Sequence, residues 1–300
     1  MSDQPPPLNG GTDDRFSSSV TPAESAPTPE VPADWPAPVS QEPPVAGEPG
    51  DAAWSAAPAE CPPPCPAAGP PERDPCWGYF DLALFVALAI PCMYAGALLA
   101  LTMVRATAGV FHFSARIPAM EPLAEQLGGD AILFGVLALI LRLQYDRPLW
   151  RSLGWLPARL PVLWVVISGM VCALSVALLG TLIHIPTTTN PMVELMKDRT
   201  SAILMAFFGV TIAPLTEELV FRGFVQPLLV RSLGAVPGIL LAAIPFGVLH
   251  YHEYGNSWRH AVLIGLAGAA FGWMRHRTGS TQSSTLMHAS YNALIFFAVL

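Results

Sequence analysis

Seven apolar segments follow one another in the last three quarters of this 300-residue chain, and they decide what the chain can fold into. Each approaches the ~20 residues that an α-helix needs to cross the hydrocarbon core of a bilayer. Lipid offers no hydrogen bonds, so the backbone of each segment must satisfy its own groups, as a helix does. The sequence therefore predicts an all-α, polytopic transmembrane helical bundle of about seven spans, at 78–104, 130–146, 161–184, 201–230, 236–252, 260–276 and 282–300.

The first 77 residues have a different character. They hold 20 of the 32 prolines and twelve of the 22 acidic residues. Such a segment buries too little apolar surface to offset the entropy of ordering, so we expect a disordered acidic tail that serves as a spacer or a docking segment. The predicted division is a tail at 1–77, N-terminal transmembrane helices and interfacial loops at 78–200, and a transmembrane core at 201–300.

Composition narrows the class of protein. Hydrophobic residues make up 52% of the chain and charged residues 12%, against about 25% charged in a soluble domain. Lys197 is the only lysine. Nucleic-acid binding requires clustered Lys and Arg residues, so the composition does not favour it. Arg147, Arg151 and Arg159 lie in the loop after the second span, so we expect this loop and the tail in the cytoplasm. The predicted location is the plasma membrane, as a multi-pass protein.

Three ionisable residues lie inside the fourth apolar segment. Charges at that depth are costly unless they are paired or hydrated, so they indicate a functional site. Glu218 and Arg222 are four residues apart and share one helical face, which predicts an ion pair. Glu217 points about 100° away and has no partner in its own helix. We therefore expect Glu218 to neutralise Arg222 and Glu217 to be free for chemistry.

Two further polar pairs lie in later spans. Phe246 and His250 form an FxxxH motif near the end of the fifth span, and His288 and Asn292 form an HxxxN motif in the seventh. His288 and Asn292 face the same side, so both side chains can donate hydrogen bonds to one developing oxyanion. Each pair alone is also compatible with simple packing between helices. Together with Glu217 they require a shared polar cavity.

The ordered motifs EExxxR at 217–222, FxxxH at 246–250 and HxxxN at 288–292 resemble those of the CPBP family. These are intramembrane proteases that process CAAX proteins and bacteriocins and are related to type II CAAX prenyl endopeptidases. The resemblance covers residues 200–300. It implies an endopeptidase that hydrolyses a peptide bond of a membrane-associated protein or peptide within the bilayer. Glu217 and His250 would activate water, His288 and Asn292 would stabilise the oxyanion, and Glu218, Arg222 and Phe246 would support the site.

Metal dependence and two other functions stay open at this stage. No HExxH motif occurs, and the resemblance favours water activated without a metal, so we expect no cofactor. If zinc is present, its ligands would be Glu217, His250 and His288. A non-proteolytic immunity or scaffold protein with the protease fold is the alternative function. A proton-coupled transporter is a third, which the lack of an internal repeat disfavours.

Overall fold

A computed structural model of the chain describes residues 74–111, 117–185 and 191–299. The tail predicted to be disordered lies outside these ranges, except for its last four residues. Within the described residues the regular elements are all helices and there is no strand, which confirms the all-α fold. The helices are α1 (Tyr79–Phe111), α2 (Met120–Tyr145), α3 (Leu149–Ser152), α4 (Val162–Leu182), α5 (Pro191–Leu195), α6 (Arg199–Val210), α7 (Ile212–Glu218), a π-helical segment (Leu219–Val225), α8 (Gln226–Leu233), α9 (Ala235–Leu249), α10 (Trp258–Thr278) and α11 (Thr281–Val299).

Four of these stretches are long and apolar enough to cross a bilayer: Tyr79–Gly109, Met120–Tyr145, Val162–Leu182 and Arg199–Leu233. They correspond to the first four predicted spans. The other three coincide with α9, which is short at 15 residues, and with α10 and α11, which are longer but carry more polar side chains. A count of seven spans is therefore not confirmed. The polar side chains of α10 and α11 suit helices that line a site within the bundle.

The second span begins earlier than its apolar run suggests. Residues 105–129 are an interfacial loop in the sequence prediction, but α1 continues to Phe111 and α2 already begins at Met120. The first turns of α2 carry Glu121 and Glu125, so they are not part of a continuous apolar run. This part of the prediction is wrong because a polar residue on a long helix does not end it.

The fourth span is nearly continuous helix but changes its winding in the middle. At its start the Asp198 carboxylate accepts a hydrogen bond from the Ser201 backbone N–H at 2.8 Å, a typical N-cap. The π-helical segment follows directly after Glu218. A π turn shifts the backbone register and is common at functional sites. The Phe224 carbonyl within it accepts a hydrogen bond from the Trp77 indole at 3.1 Å.

Two apolar clusters flank the centre of the bundle. The first joins α1, α2 and the π-helical segment through Phe85, Leu137, Leu219 and Phe224. The second joins α4 to α10 and α11, and its buried members are Val165, Ala173, Ala267, Phe271, Met287 and Tyr291. The polar residues of the fourth span and of α9, α10 and α11 lie between these clusters. They are therefore held by rigid packing on both sides.

Candidate active site

The centre of the site is the ion pair predicted from the EExxxR motif. Arg222 Nη1 lies 2.9 Å from Glu218 Oε1, and both side chains are at most 1% exposed. Arg222 Nη2 donates a 2.7 Å hydrogen bond to the Gly268 carbonyl of α10. The guanidinium also lies 4.2 Å from the centre of the Phe246 ring, a cation–π distance. Arg222 is thus committed to contacts within the protein.

Glu218 has a second partner on α11. His288 Nδ1 lies 3.1 Å from the same Oε1 atom that meets Arg222. A carboxylate oxygen only accepts hydrogen bonds, so Nδ1 carries the proton and donates it. The opposite nitrogen, Nε2, is then the one left to contact other groups. Glu218 therefore joins Arg222 and His288 and orients the imidazole.

Glu217 is the more exposed of the two glutamates, at 29% against 0% for Glu218. Its Oε2 is 3.8 Å from His288 Nε2, which is too far for a hydrogen bond. The Oε2 atom of each glutamate lacks a hydrogen-bond partner among the described residues. The two residues therefore differ in Oε1 and in exposure: Glu218 is ion-paired and buried, whereas Glu217 has no close ion pair with any described residue and is partly exposed.

His250 ends α9 with its own backbone contact. Its Nδ1 lies 2.8 Å from the Phe246 carbonyl, so Nδ1 donates and the neutral ring keeps a lone pair on Nε2. Nε2 is 3.9 Å from Glu253 Oε2, a residue of the loop after α9, and the imidazole is 20% exposed. The FxxxH spacing thus places the Phe246 carbonyl one helical turn before His250, where it fixes the proton on Nδ1. The other nitrogen, Nε2, stays accessible.

Asn292 is anchored to the fourth span. Its Nδ2 donates a 2.7 Å hydrogen bond to the Gly209 carbonyl at the end of α6. An amide nitrogen carries two hydrogens, so one donor remains beyond this contact. His288 and Asn292 each hold a neighbouring helix with one donor, a feature that the four-residue spacing did not reveal.

The sequence prediction missed the contribution of α10. The Phe271 ring stacks on the His288 imidazole with centroids 4.5 Å apart and planes 20° from parallel. The Gly268 and Gly272 carbonyls accept from Arg222 and Gln226, respectively, so two side chains four residues apart meet two carbonyls four residues apart. The repeated four-residue spacing of these residues was the available signal.

The metal ligands suggested from the sequence do not converge. Among residues 74–111, 117–185 and 191–299, no three His, Cys, Asp or Glu side chains lie close enough together to hold an ion. Zinc requires its ligand atoms about 2.0–2.3 Å from one centre. Here Glu217 Oε2 and His288 Nε2 are 3.8 Å apart, while His250 Nε2 lies 3.9 Å from Glu253 Oε2. The three suggested ligands therefore do not form one cluster in this structure, and zinc binding stays a prediction.

Comparison with known proteins addresses the same part of the chain. The model of the family described as type II CAAX prenyl endopeptidase Rce1-like matches residues 199–294. This C-terminal region is therefore similar to that family. The match begins at α6 and ends in α11, so it includes every residue of the candidate site. The CAAX-protease resemblance of the three motifs is confirmed.

A curated relative supports the same similarity to CAAX proteases. CAAX prenyl protease 2 of Homo sapiens is 34% identical over an alignment of 103 residues, which covers 29% of this chain and 31% of the human protein. The chain thus spans about a third of the length of that relative. No solved structure matches. With four apolar helices of membrane-spanning length, the family relation makes the chain an integral membrane protein.

Proposed function

We propose that this chain is an intramembrane endopeptidase that hydrolyses a peptide bond of a membrane-associated protein or peptide. The observation that carries the proposal is the contrast between Glu218, which is buried and ion-paired at 2.9 Å, and Glu217, which is 29% exposed and lies 3.8 Å from His288. A hydrolase needs a carboxylate that can take a proton from water, held beside groups that stabilise an oxyanion. The match of residues 199–294 to an endopeptidase family supports this reading.

The proposed reaction uses Glu217 as the general base. Glu217 takes one proton from a water molecule that also donates a hydrogen bond to His250 Nε2. The water oxygen attacks the peptide carbonyl carbon, and the π electrons move to the carbonyl oxygen. That oxyanion receives hydrogen bonds from Asn292 Nδ2 and from Nε2–H of His288, which donates from both ring nitrogens in its doubly protonated form because Nδ1 already donates to Glu218. When the C–N bond breaks, Glu217 returns the proton to the leaving amine.

Glu218, Arg222 and Phe246 have supporting roles in this proposal. Arg222 balances the charge of Glu218, and Glu218 holds the imidazole of His288. The Phe246 ring lies under the guanidinium, and its carbonyl fixes His250. None of the three needs to touch the substrate.

The first test is cleavage by the full chain in lipid nanodiscs. The probe is an internally quenched peptide that ends in a prenylated cysteine followed by three residues, which is the CAAX pattern. Wild type should cleave it, and Glu217→Gln should bind it without cleavage. A second probe set is the membrane peptidome, compared between cells that express each form. If wild type cleaves no probe and the two peptidomes are indistinguishable, the scaffold alternative is favoured instead.

Chelation tests the metal question separately. The proposed reaction routes no step through a metal, so activity should survive exhaustive treatment with a chelator. Complete loss of activity that zinc alone restores would contradict this part of the proposal. It would indicate a zinc ion with Glu217, His250 and His288 as its ligands.

The orientation is also a proposal. We place the N-terminal tail and the loop with Arg147, Arg151 and Arg159 on the cytoplasmic side of the plasma membrane, since Arg is enriched on that side of inserted helices. Protease protection of an N-terminal tag in sealed cells should show the tag inaccessible from outside. Digestion of the tag from outside would reverse the orientation.

A further inference from the structure

A tryptophan outside the family-matched region contacts the helix that carries the two glutamates. Trp77 precedes α1 and is only 2% exposed. Its indole Nε1 donates a 3.1 Å hydrogen bond to the carbonyl of Phe224, which lies in the π-helical segment of the fourth span. The two rings also stack, with centroids 5.1 Å apart and planes 26° from parallel. Trp77 thus holds Phe224 through both its backbone and its side chain.

The backbone on both sides of Trp77 is fixed as well. Arg231 of α8 donates hydrogen bonds to the carbonyls of Pro75 and Trp77, the latter at 3.2 Å. The Gly78 backbone N–H donates to Asp81 Oδ2 at 2.8 Å, in the first turn of α1. We call residues 75–78 the strap. Since the strap is tied to α8 at one end and to α1 at the other, the indole has a fixed position against the π-helical segment.

The winding of the π-helical segment decides which way Phe224 faces. Leu219 and Phe224 are five residues apart, and both are buried in the same apolar cluster as Trp77. On an α-helix, five residues correspond to a rotation of about 140°, so these two side chains would diverge. A π turn bonds each N–H to the carbonyl five residues earlier, as the Gln226 N–H does here with Phe221, and so brings residues five apart toward one face.

The same turn sets the direction of Glu218. The π-helical segment begins directly after Glu218 and includes Arg222. If it adopted α-helical winding, the register would change by one residue, which rotates one end of the segment by about 100° relative to the other. Phe224 could then stay in its cluster only if Glu218 rotated away from His288 Nδ1, which now lies 3.1 Å from its Oε1.

Contacts from outside the helix must favour the wide turn, because π-helical winding is rare. A buried indole N–H needs an acceptor, and leaving it without one is costly. Trp77 finds its acceptor while Phe224 faces the strap, which is the arrangement that the π turn allows. The hydrogen bond and the ring stack therefore stabilise the π-helical winding relative to the α-helical one.

We propose that Trp77 is a positioning residue of the hydrolytic site. It favours the π-helical winding of the fourth span and thereby keeps Glu218 beside His288. The inference rests on the proposed function, which assigns the reaction that these positioned groups serve. Trp77 itself does not touch the reacting atoms. It adds to the site a part of the chain that precedes the matched residues 199–294.

The experiment removes the indole N–H in two ways, in the full chain in nanodiscs with the prenylated peptide probe. Trp77→Phe keeps an aromatic ring, and replacing Trp77 with benzothienylalanine exchanges the N–H for sulfur while keeping the shape. One lost hydrogen bond changes an equilibrium by up to about tenfold, so kcat should fall by about that factor in both proteins. KM should stay within about twofold, because the substrate contacts are unchanged.

Phe85→Leu is the matched control for packing. Phe85 is 4% exposed, and its ring centroid lies 5.0 Å from that of Phe224, so it supports the same ring by apolar contact. This variant should lower the melting temperature and leave kcat within about twofold of wild type. If it lowers kcat as much as Trp77→Phe does, or if the benzothienylalanine protein keeps full kcat, the indole hydrogen bond is only structural and the proposal is wrong.

The imidazole of His288 provides a readout that needs no turnover. In protein with isotope-labelled histidine, the nitrogen magnetic resonance signal of His288 Nδ1 reports its hydrogen bond to Glu218, and His288→Gln identifies the signal by its loss. The signal should shift in Trp77→Phe and stay in place in Phe85→Leu. If wild type cleaves no probe, the proposed function fails, and this comparison still decides the positioning role. An unchanged signal in Trp77→Phe overturns it.

Discussion

Glu217 and Glu218 are neighbours in sequence and occupy two regions of opposite character. The closed half of the site consists of Glu218, Arg222, the Gly268 carbonyl and His288 Nδ1, which contact one another away from solvent. The open half consists of Glu217, His250 Nε2 and the second amide hydrogen of Asn292, which lack such partners. The comparison teaches that one half fixes geometry so that the other can keep groups available for a substrate.

The largest expected effect is in the open half. Glu217→Gln should lower kcat by about 10²–10⁴-fold, the usual contribution of a general base, while the melting temperature in detergent stays close to that of wild type. Cleavage of the prenylated peptide and thermal unfolding measure the two quantities. A variant that unfolds as it loses activity would place Glu217 in the closed half.

The opposite pattern is expected for Arg222. Arg222→Met leaves Glu218 buried without its counter-charge, which should cost about 3–5 kcal/mol of stability. The double variant Glu218→Leu with Arg222→Met removes both charges and should regain much of this stability, but not the activity, because His288 loses its anchor. Unfolding in a denaturing detergent measures the difference. Equal stability of the two variants would show that the pair has no energetic coupling.

A methyl group on α10 tests how tightly the closed half is packed. A Cβ at Gly268 would lie 2.6 Å from a Phe246 ring carbon and 2.9 Å from Arg222 Nη2. Gly268→Ala should therefore destabilise the protein by about 1–3 kcal/mol. Gly265→Ala is the control on the same helix, since its nearest neighbour would be 3.5 Å away. If both alanines are tolerated alike, the closed half is looser than its contacts indicate.

The smallest effect is expected one turn beyond Arg222. Gln226 Nε2 donates a 2.9 Å hydrogen bond to the Gly272 carbonyl, outside the reacting groups. Gln226→Met should cost about 1 kcal/mol and leave kcat and KM unchanged. If kcat or KM changes although the protein stays folded, the hydrogen bond from Gln226 to the Gly272 carbonyl is part of the site.

Much of this could be predicted from residue spacing. The four-residue interval from Glu218 to Arg222 required a shared face, and the adjacent Glu217 had to point elsewhere. The apolar runs gave the all-α class and the first four long helices. The start of α2 was missed, because its early turns carry acids whose neighbours on other helices are not visible along the chain.

Contacts between helices far apart in sequence were not predictable in the same way. Nothing in the HxxxN motif indicates that His288 Nδ1 binds Glu218 or that Asn292 binds the Gly209 carbonyl. The stacking of Phe271 on His288 likewise depends on how the helices are arranged.

The sequence by itself determined the first four long apolar helices, the candidate site residues and the separation of the two glutamates. These follow from local rules, since apolar length and helical period act within one segment. Only the tertiary structure decided which nitrogen of each histidine is engaged, which glutamate is buried with Arg222, and which carbonyls on other helices accept from Arg222 and Asn292. Those features arise where four helices meet, and the packing of distant segments sets them.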